Sequence, residues 1–216
     1  MLIETGNRVL VIDTGPDFRQ QMLAAGVSHL DGVLFTHEHR DHIAGLDDIR
    51  SFNFIQQAPM DVYAEPRVLR ALQSGFPYVF AEKKYPGIPQ VIVHTISKAP
   101  FQIGDLEIIP VRLMHYRLPV LGFRIGDVAY LTDANFISGE EKKKLEGVHI
   151  LIVNALRREK HISHFTLSEA VALIEEIRPE KGYLTHISHQ MGRTAEFSTE
   201  LPDYISAAYD GLVLEG

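Results

Sequence analysis

Residues Thr36 to Leu46 read "THEHRDHIAGL", which crowds three of the chain's eleven histidines and an aspartate into six positions. The apolar run "GVLFT" (Gly32 to Thr36) leading into it reads as a buried strand, so the cluster stands where a strand has just ended. His37 and His39 are two residues apart and in extended backbone point the same way, with Asp41 and His42 following at once. His37 and His39 can hold one metal ion while Asp41 and His42 face a second, since imidazole and carboxylate are ligands that Zn²⁺, Mn²⁺ and Fe²⁺ accept. The chain has no cysteine, which leaves His and carboxylate as the only strong ligands for such an ion.

Any fold that uses this cluster must bring further ligands to the same rim. Three more ligand-type residues fall at the ends of expected strands: His115 after "PVRLM", Asp133 after "AYLT" and His186 after "GYLT". Threonine precedes the ligand at Thr36, Thr132 and Thr185, where a β-branched residue stiffens the strand end and its hydroxyl can support the ligand. The seven divide as His37, His39 and His115 on one ion, Asp41, His42 and His186 on the other, and Asp133 bridging. Two divalent ions outweigh the two aspartates, so the site should attract an anion. A bridging water would serve as a hydroxide nucleophile, because a bound metal lowers water's pKa from about 15.7 towards roughly 7 to 9.

The rest of the chain supplies the strands and helices such a rim needs. "RVLVID" (Arg8 to Asp13) is a strand run; Asp17 is placed to cap a helix ending near Gly26; "MDVYA" is another strand, and Pro66 opens a helix to about Gln73. The proline-rich stretch from Ser74 to Gln90 reads as a long ordered loop that shapes a pocket. Hairpins turn at Gly104–Asp105 and Gly126–Asp127; Ser138 starts a short helix; "VHILIVNAL" is a buried strand; Thr166 and Glu169 form a capping box for "LSEAVALIEEI". "KGYLT" and "GLVLEG" are expected late strands. At 216 residues and 45% hydrophobic content, one domain over residues 1–216 is expected, a layered sheet sandwich with helices outside. No apolar run reaches the roughly 18 to 20 residues that cross a bilayer, so a soluble, cytoplasmic protein with no membrane partner is expected. A net charge of −7 without a basic cluster argues against nucleic acid as a partner.

With "HEHRDH", the later His115, Asp133 and His186, and their strand-end contexts in this order, the sequence resembles the metallo-β-lactamase-fold hydrolases over about residues 1 to 190. The resemblance implies an α/β fold, a four-layer αββα sandwich with a dinuclear site at one edge of its sheets. "HISHFTLSEA" and "THISH" are most similar to the phosphodiesterase branch that includes phosphoribosyl 1,2-cyclic phosphate phosphodiesterase. They place His164, 22 residues before His186, as a catalytic group near the leaving group, with Asp41 as the other catalytic candidate. The resemblance thus implies a small cyclic or nucleotide-like phosphate ester as substrate, two Zn²⁺ or Mn²⁺ ions as cofactors, and a homodimer. Alternatives are a thioester or lactone hydrolase of the same fold, an RNA nuclease, or a metal-binding module without catalysis.

The chain departs from that branch in lacking its glycine-rich first strand and its cysteine cluster, so a shortened chain without the structural zinc is expected, with His189 left without its partners. Asp13 is a candidate to support the site from behind its ligands. Arg40 is expected to point outward, and Asp47 and Asp48 to cap or solvate the following helix. His29, His94, His149 and His161 have no supporting spacing and read as surface or structural. Phe76, Tyr78, Phe80 and Tyr85 are expected to pack on one another.

Overall fold

The computed structural model describes residues 1–83 and 85–215. They divide into two compact units, Met1–Ser97 and Lys98–Gly216, each with its own sheet and core. The architecture is mixed α/β with two sheets, as expected.

In the first unit β1 (Leu2–Thr5), β2 (Arg8–Ile12), β3 (Gly32–Leu34), β4 (Met60–Ala64) and β5 (Val91–Thr95) lie side by side in chain order. β1 and β2 form a hairpin; β2 to β5 are parallel. Continuous apolar runs suit parallel strands, and Leu10, Val33 and Val62 are fully buried. α1 (Phe18–Ala24), α2 (Arg40–Ile43), α3 (Arg50–Gln56) and α4 (Pro66–Gly75) complete the unit. Phe18, Met22 and Phe52 pack with Val62 and Leu72 in its core. Pro66 opens α4 as expected, two residues longer than expected.

One element was not foreseen, and two expected side-chain caps are not made. β1 was not foreseen; it is a short edge strand with a glutamate at its centre, closed by a turn at Gly6, whose φ of 53° a glycine adopts without strain. Asp17 precedes α1 but its side chain makes no capping bond. Asp47 and Asp48 do not cap a helix either: Asp48 pairs with Arg19 at 2.8 Å, and Asp47 accepts from the Tyr78 hydroxyl at 2.8 Å. The expected loop begins after Gly75 and, with Asp47 and Arg50, lines a cavity through Tyr78, Tyr85 and Pro86 to Pro89. Phe76 is buried with its ring 6.4 Å from Tyr78, whereas Tyr85 is exposed.

The second unit holds β6 (Phe101–Ile103), β7 (Leu106–His115), β8 (Leu118–Ile125), β9 (Val128–Leu131), β10 (Phe136–Ile137), α5 (Gly139–Lys142), β11 (Ile150–Asn154), α6 (Leu167–Ile177), β12 (Lys181–Thr185), α7 (Thr194–Phe197) and β13 (Ile205–Ala207). The sheet order is β10-β7-β8-β9-β11-β12-β13, with β6 also on β7. Both hairpins turn where the sequence placed them, at Gly104 and Gly126, each with positive φ. Ser138 accepts the Glu141 N–H at the start of α5, and the Thr166–Glu169 capping box opens α6. "GLVLEG" is not a strand over residues 211–215: Val213 is exposed, and β13 pairs with β12 instead.

Strand direction explains where the ligand-type residues fall. β9, β11 and β12 run parallel, and β7 runs the same way as β9 because each is antiparallel to β8. Their carboxyl ends therefore share one rim, carrying His115, Asp133, Asn154 and His186. The carboxyl ends of open parallel sheets are where ligands bind. In the first unit Asp13 follows β2, and His37 comes three residues after β3, at the carboxyl ends of neighbouring parallel strands.

Candidate metal centre

In the first unit the cluster converges as its spacing predicts. The His37 ring lies 4.6 Å from that of His39 and 4.1 Å from that of His42. A ligand nitrogen of His37 lies within 4.8 Å of one on His39, and a carboxylate oxygen of Asp41 within 4.8 Å of a nitrogen of His42. His37 and His42 are buried, while His39 and Asp41 face out.

Asp13 organises this cluster. It leaves β2 with a φ of 63°, left-handed backbone that aspartate tolerates better than most residues. One carboxylate oxygen accepts the Thr36 N–H at 2.8 Å; the other accepts the Thr36 hydroxyl at 2.8 Å and lies 2.7 Å from His42 Nδ1. Because the Thr36 hydroxyl donates to Asp13, its oxygen accepts from His37 Nδ1 at 2.9 Å. Both imidazoles thus carry their proton on Nδ1 and present the Nε2 lone pair. Asp13→Ala is expected to weaken metal binding by about 10- to 100-fold, the usual effect of losing a ligand's outer partner. Competition against a chelator measures it; unchanged affinity would refute the role. Glu38, inside the motif, is held at 3.1 Å by Arg67 of α4, and Arg40 is exposed as expected.

In the second unit Asp133 brings a carboxylate oxygen within 4.8 Å of ligand nitrogens of both His115 and His186. Asp133 and His186 leave their strands with a φ of 53° each, sparsely populated backbone of the kind that gathers at functional sites. Thr132 donates to Asp133 at 2.7 Å, and His115 Nδ1 donates to the Ser163 carbonyl at 2.9 Å, so His115 also presents Nε2. In each unit, taken by itself, a histidine that presents Nε2 stands beside an aspartate, donor types that divalent metal accepts. Among the described residues Thr185 makes no side-chain hydrogen bond beside His186, unlike Thr36 and Thr132 beside their ligand-type neighbours.

His164 is buried with its ring 4.5 Å from His115 and stacked 4.9 Å from His186. Its Nδ1 has no hydrogen-bond partner among the described residues. Burial pushes its pKa from the ordinary 6.5 down to about 4; Asp133 opposes the fall, and His186, His115 and His161 add to it. A depressed folded-state value means the contribution to stability is complete above about pH 6.5 and lost as pH falls through 4. The thermal midpoint of metal-free protein should therefore fall between pH 6.5 and 4. His164→Gln should flatten that dependence, and an equally steep fall in the variant would count against this source.

The sequence missed two residues here. Asn154, fully buried at the end of β11, accepts the Ala134 N–H at 2.8 Å and donates to the Ala134 carbonyl at 3.0 Å, clamping the backbone beside Asp133. His161 stands with its ring 5.1 Å from His164 rather than isolated on the surface. His189 opens a short exposed turn, and His94 pairs with Asp61 at 2.7 Å. Among the described residues no helix is long and apolar enough to cross a membrane.

The family described as beta-lactamase superfamily domain matches residues 7–187. An octanoyltransferase of Porphyromonas gingivalis is 42% identical over 214 residues, 98% of this chain and 43% of that protein. A ribonuclease Z of a Mycobacterium species is 28% identical over 142 residues, 57% of this chain and 49% of that protein. The chain thus spans less than half of each of these relatives. The crystal structure of a diphosphatase from the PhnP family superposes with a TM-score of 0.90 at 34% identity, over 98% of this chain and 80% of that one. The short form of human tRNase Z, at 18% identity and a TM-score of 0.70, shares the fold.

Proposed function

We propose, from the premise that this chain belongs to the beta-lactamase superfamily domain family, that it is a phosphodiesterase acting on a small cyclic or nucleotide-like phosphate. The chain carries the fold of that family, with His and Asp groups that could hold metal. In the proposal His37, His39, Asp41, His42, His115, Asp133 and His186 would hold the divalent metal. When bound, the two ions supply an activated water and positive charge for the phosphoryl oxygens.

The chain's own residues do the rest. Asp13 and Thr36 hold the tautomers of His37 and His42, and the Ser163 carbonyl holds that of His115. Asn154 fixes the turn that presents Asp133. His164 orients the leaving group and, as a neutral imidazole, donates a hydrogen bond to the oxygen on which charge develops. The observation that carries the reading is His164 itself, a buried imidazole with an unpartnered Nδ1 wedged between two ligand-type histidines. A buried polar atom without a partner is costly unless a ligand or solvent satisfies it. The similarity to a PhnP-family diphosphatase supports phosphorus chemistry.

Hydrolysis of bis(p-nitrophenyl) phosphate or a ribose cyclic phosphate by protein loaded with Mn²⁺ or Zn²⁺ is the expected result. No turnover of either by protein with confirmed metal content would overturn the reading. A second reading, for which the similarity to an octanoyltransferase is the prompt, is action on an octanoyl group. An octanoyl thioester assayed beside the phosphate esters decides between them.

A further inference from the structure

We infer that His161 is a substrate-binding residue, whose Nε2–H donates a hydrogen bond to a phosphoryl oxygen beside His164. The inference rests on the phosphodiesterase reading above and assigns a second donor within that site.

The segment "RREKHISH" (Arg157 to His164) is fixed at several points, so the place of His161 is built into it. The Arg157 guanidinium donates to the Glu159 carbonyl at 3.2 Å and the Lys160 carbonyl at 3.0 Å, and reaches Gln190 at 2.8 Å. Asn135 donates to the Ile162 carbonyl at 3.2 Å, His115 to the Ser163 carbonyl at 2.9 Å, and the Phe165 N–H to the Ala134 carbonyl at 2.7 Å. These bonds tie the segment to the turn that carries Asp133 and to the end of β7.

The tautomer of His161 follows from its own bonds. Its Nδ1 accepts the Ser163 N–H at 3.3 Å and lies 3.3 Å from the Ser163 hydroxyl. A backbone N–H is only a donor, so Nδ1 carries the lone pair and the proton of the neutral ring sits on Nε2. That N–H has no partner among the described residues. The half-buried ring stands 5.1 Å from His164 and tilted by 36°, close enough for both rings to touch one small group. The fixed charge of Arg157 nearby makes the surroundings favourable to an anion, and it also helps burial keep the imidazole neutral. Neutral His161 can therefore donate without contributing a charge that the metal site would repel.

The decisive measurement is calorimetric binding of inorganic phosphate to metal-loaded protein, with steady-state hydrolysis of bis(p-nitrophenyl) phosphate alongside. His161→Ala is expected to raise the phosphate Kd and the ester KM by about 10- to 100-fold, as for one lost hydrogen bond to a charged group, while kcat changes by less than about threefold. His161→Gln, whose amide nitrogen reaches about as far as Nε2, should recover most of the affinity. Unchanged phosphate affinity in His161→Ala overturns the inference, as does failure of the wild-type protein to bind phosphate. Loss of thermal stability or metal content in both variants would mark a structural residue and overturn it too. If phosphate binding depends on His161 while no phosphate ester is hydrolysed, the inference holds and the phosphodiesterase reading fails.

Discussion

His164→Ala is expected to lower kcat for a phosphodiester by about 100- to 1,000-fold, the range for losing a positioned hydrogen-bond donor to developing charge, while bound metal stays at the wild-type level. The imidazole is buried against His115 and His186, yet among the described residues its Nδ1 makes no hydrogen bond. Removing it leaves a hole beside the ligands without removing a ligand. The effect should therefore fall on kcat more than on metal affinity, with esters of poor leaving groups suffering most, since those build the most charge on the departing oxygen. A p-nitrophenyl ester, whose leaving group is stable as an anion, should be the least affected. Metal analysis and kcat across a leaving-group series read both halves. A kcat within about threefold of wild type for the poorest leaving group would remove His164 from the chemistry.

The ligand-type residues were legible because they obey a rule of local structure: an apolar strand stops, and the next polar residue is presented at its end. Thr132–Asp133 and the "THEH" stretch after β3 follow it, and so does Asp13 after β2. The same rule would have found Asn154, the single polar residue closing a fully buried strand, had it not been restricted to metal ligands. His161 was invisible for a different reason. Its contact with His164 arises from a tight irregular segment in which the Ser163 N–H turns back on the imidazole, and neither helical nor strand period predicts that. "GLVLEG" failed because a strand needs a neighbour as well as a pattern; β13 takes the place beside β12. β1 went unseen because four residues with a central glutamate carry almost no periodic signal, and the turn at Gly6 is what brings them onto β2.

Gly45→Ala is the substitution expected to damage the first unit most. A methyl group there would lie 2.3 Å from the Gly15 carbonyl oxygen, 2.8 Å from Phe18 Cβ and 3.2 Å from the Thr14 carbonyl oxygen. The first and last of these are backbone atoms, which cannot rotate away. The backbone of Gly45 has a φ of −89°, which alanine adopts freely, so the cost is packing alone. The crowding separates two segments that are stitched together: the Gly45 N–H donates to the Thr14 carbonyl and the Thr14 N–H to the His42 carbonyl, each at 2.8 Å. One segment follows Asp13 and the other carries Asp41 and His42, so parting them strains the 2.7 Å contact between Asp13 and His42 as well. Overpacking of this kind costs about 3 kcal/mol, and a chain of this length loses roughly 2 to 4 °C of thermal midpoint per kcal/mol, so a fall of about 6 to 12 °C is expected. Weaker metal binding should accompany it. Gly139→Ala, where the added methyl meets nothing within 4 Å, should leave both unchanged. Equal midpoints for the two variants would show that the Thr14–Gly15 and His42–Gly45 segments yield to each other, and that their close approach does not hold the ligands in place.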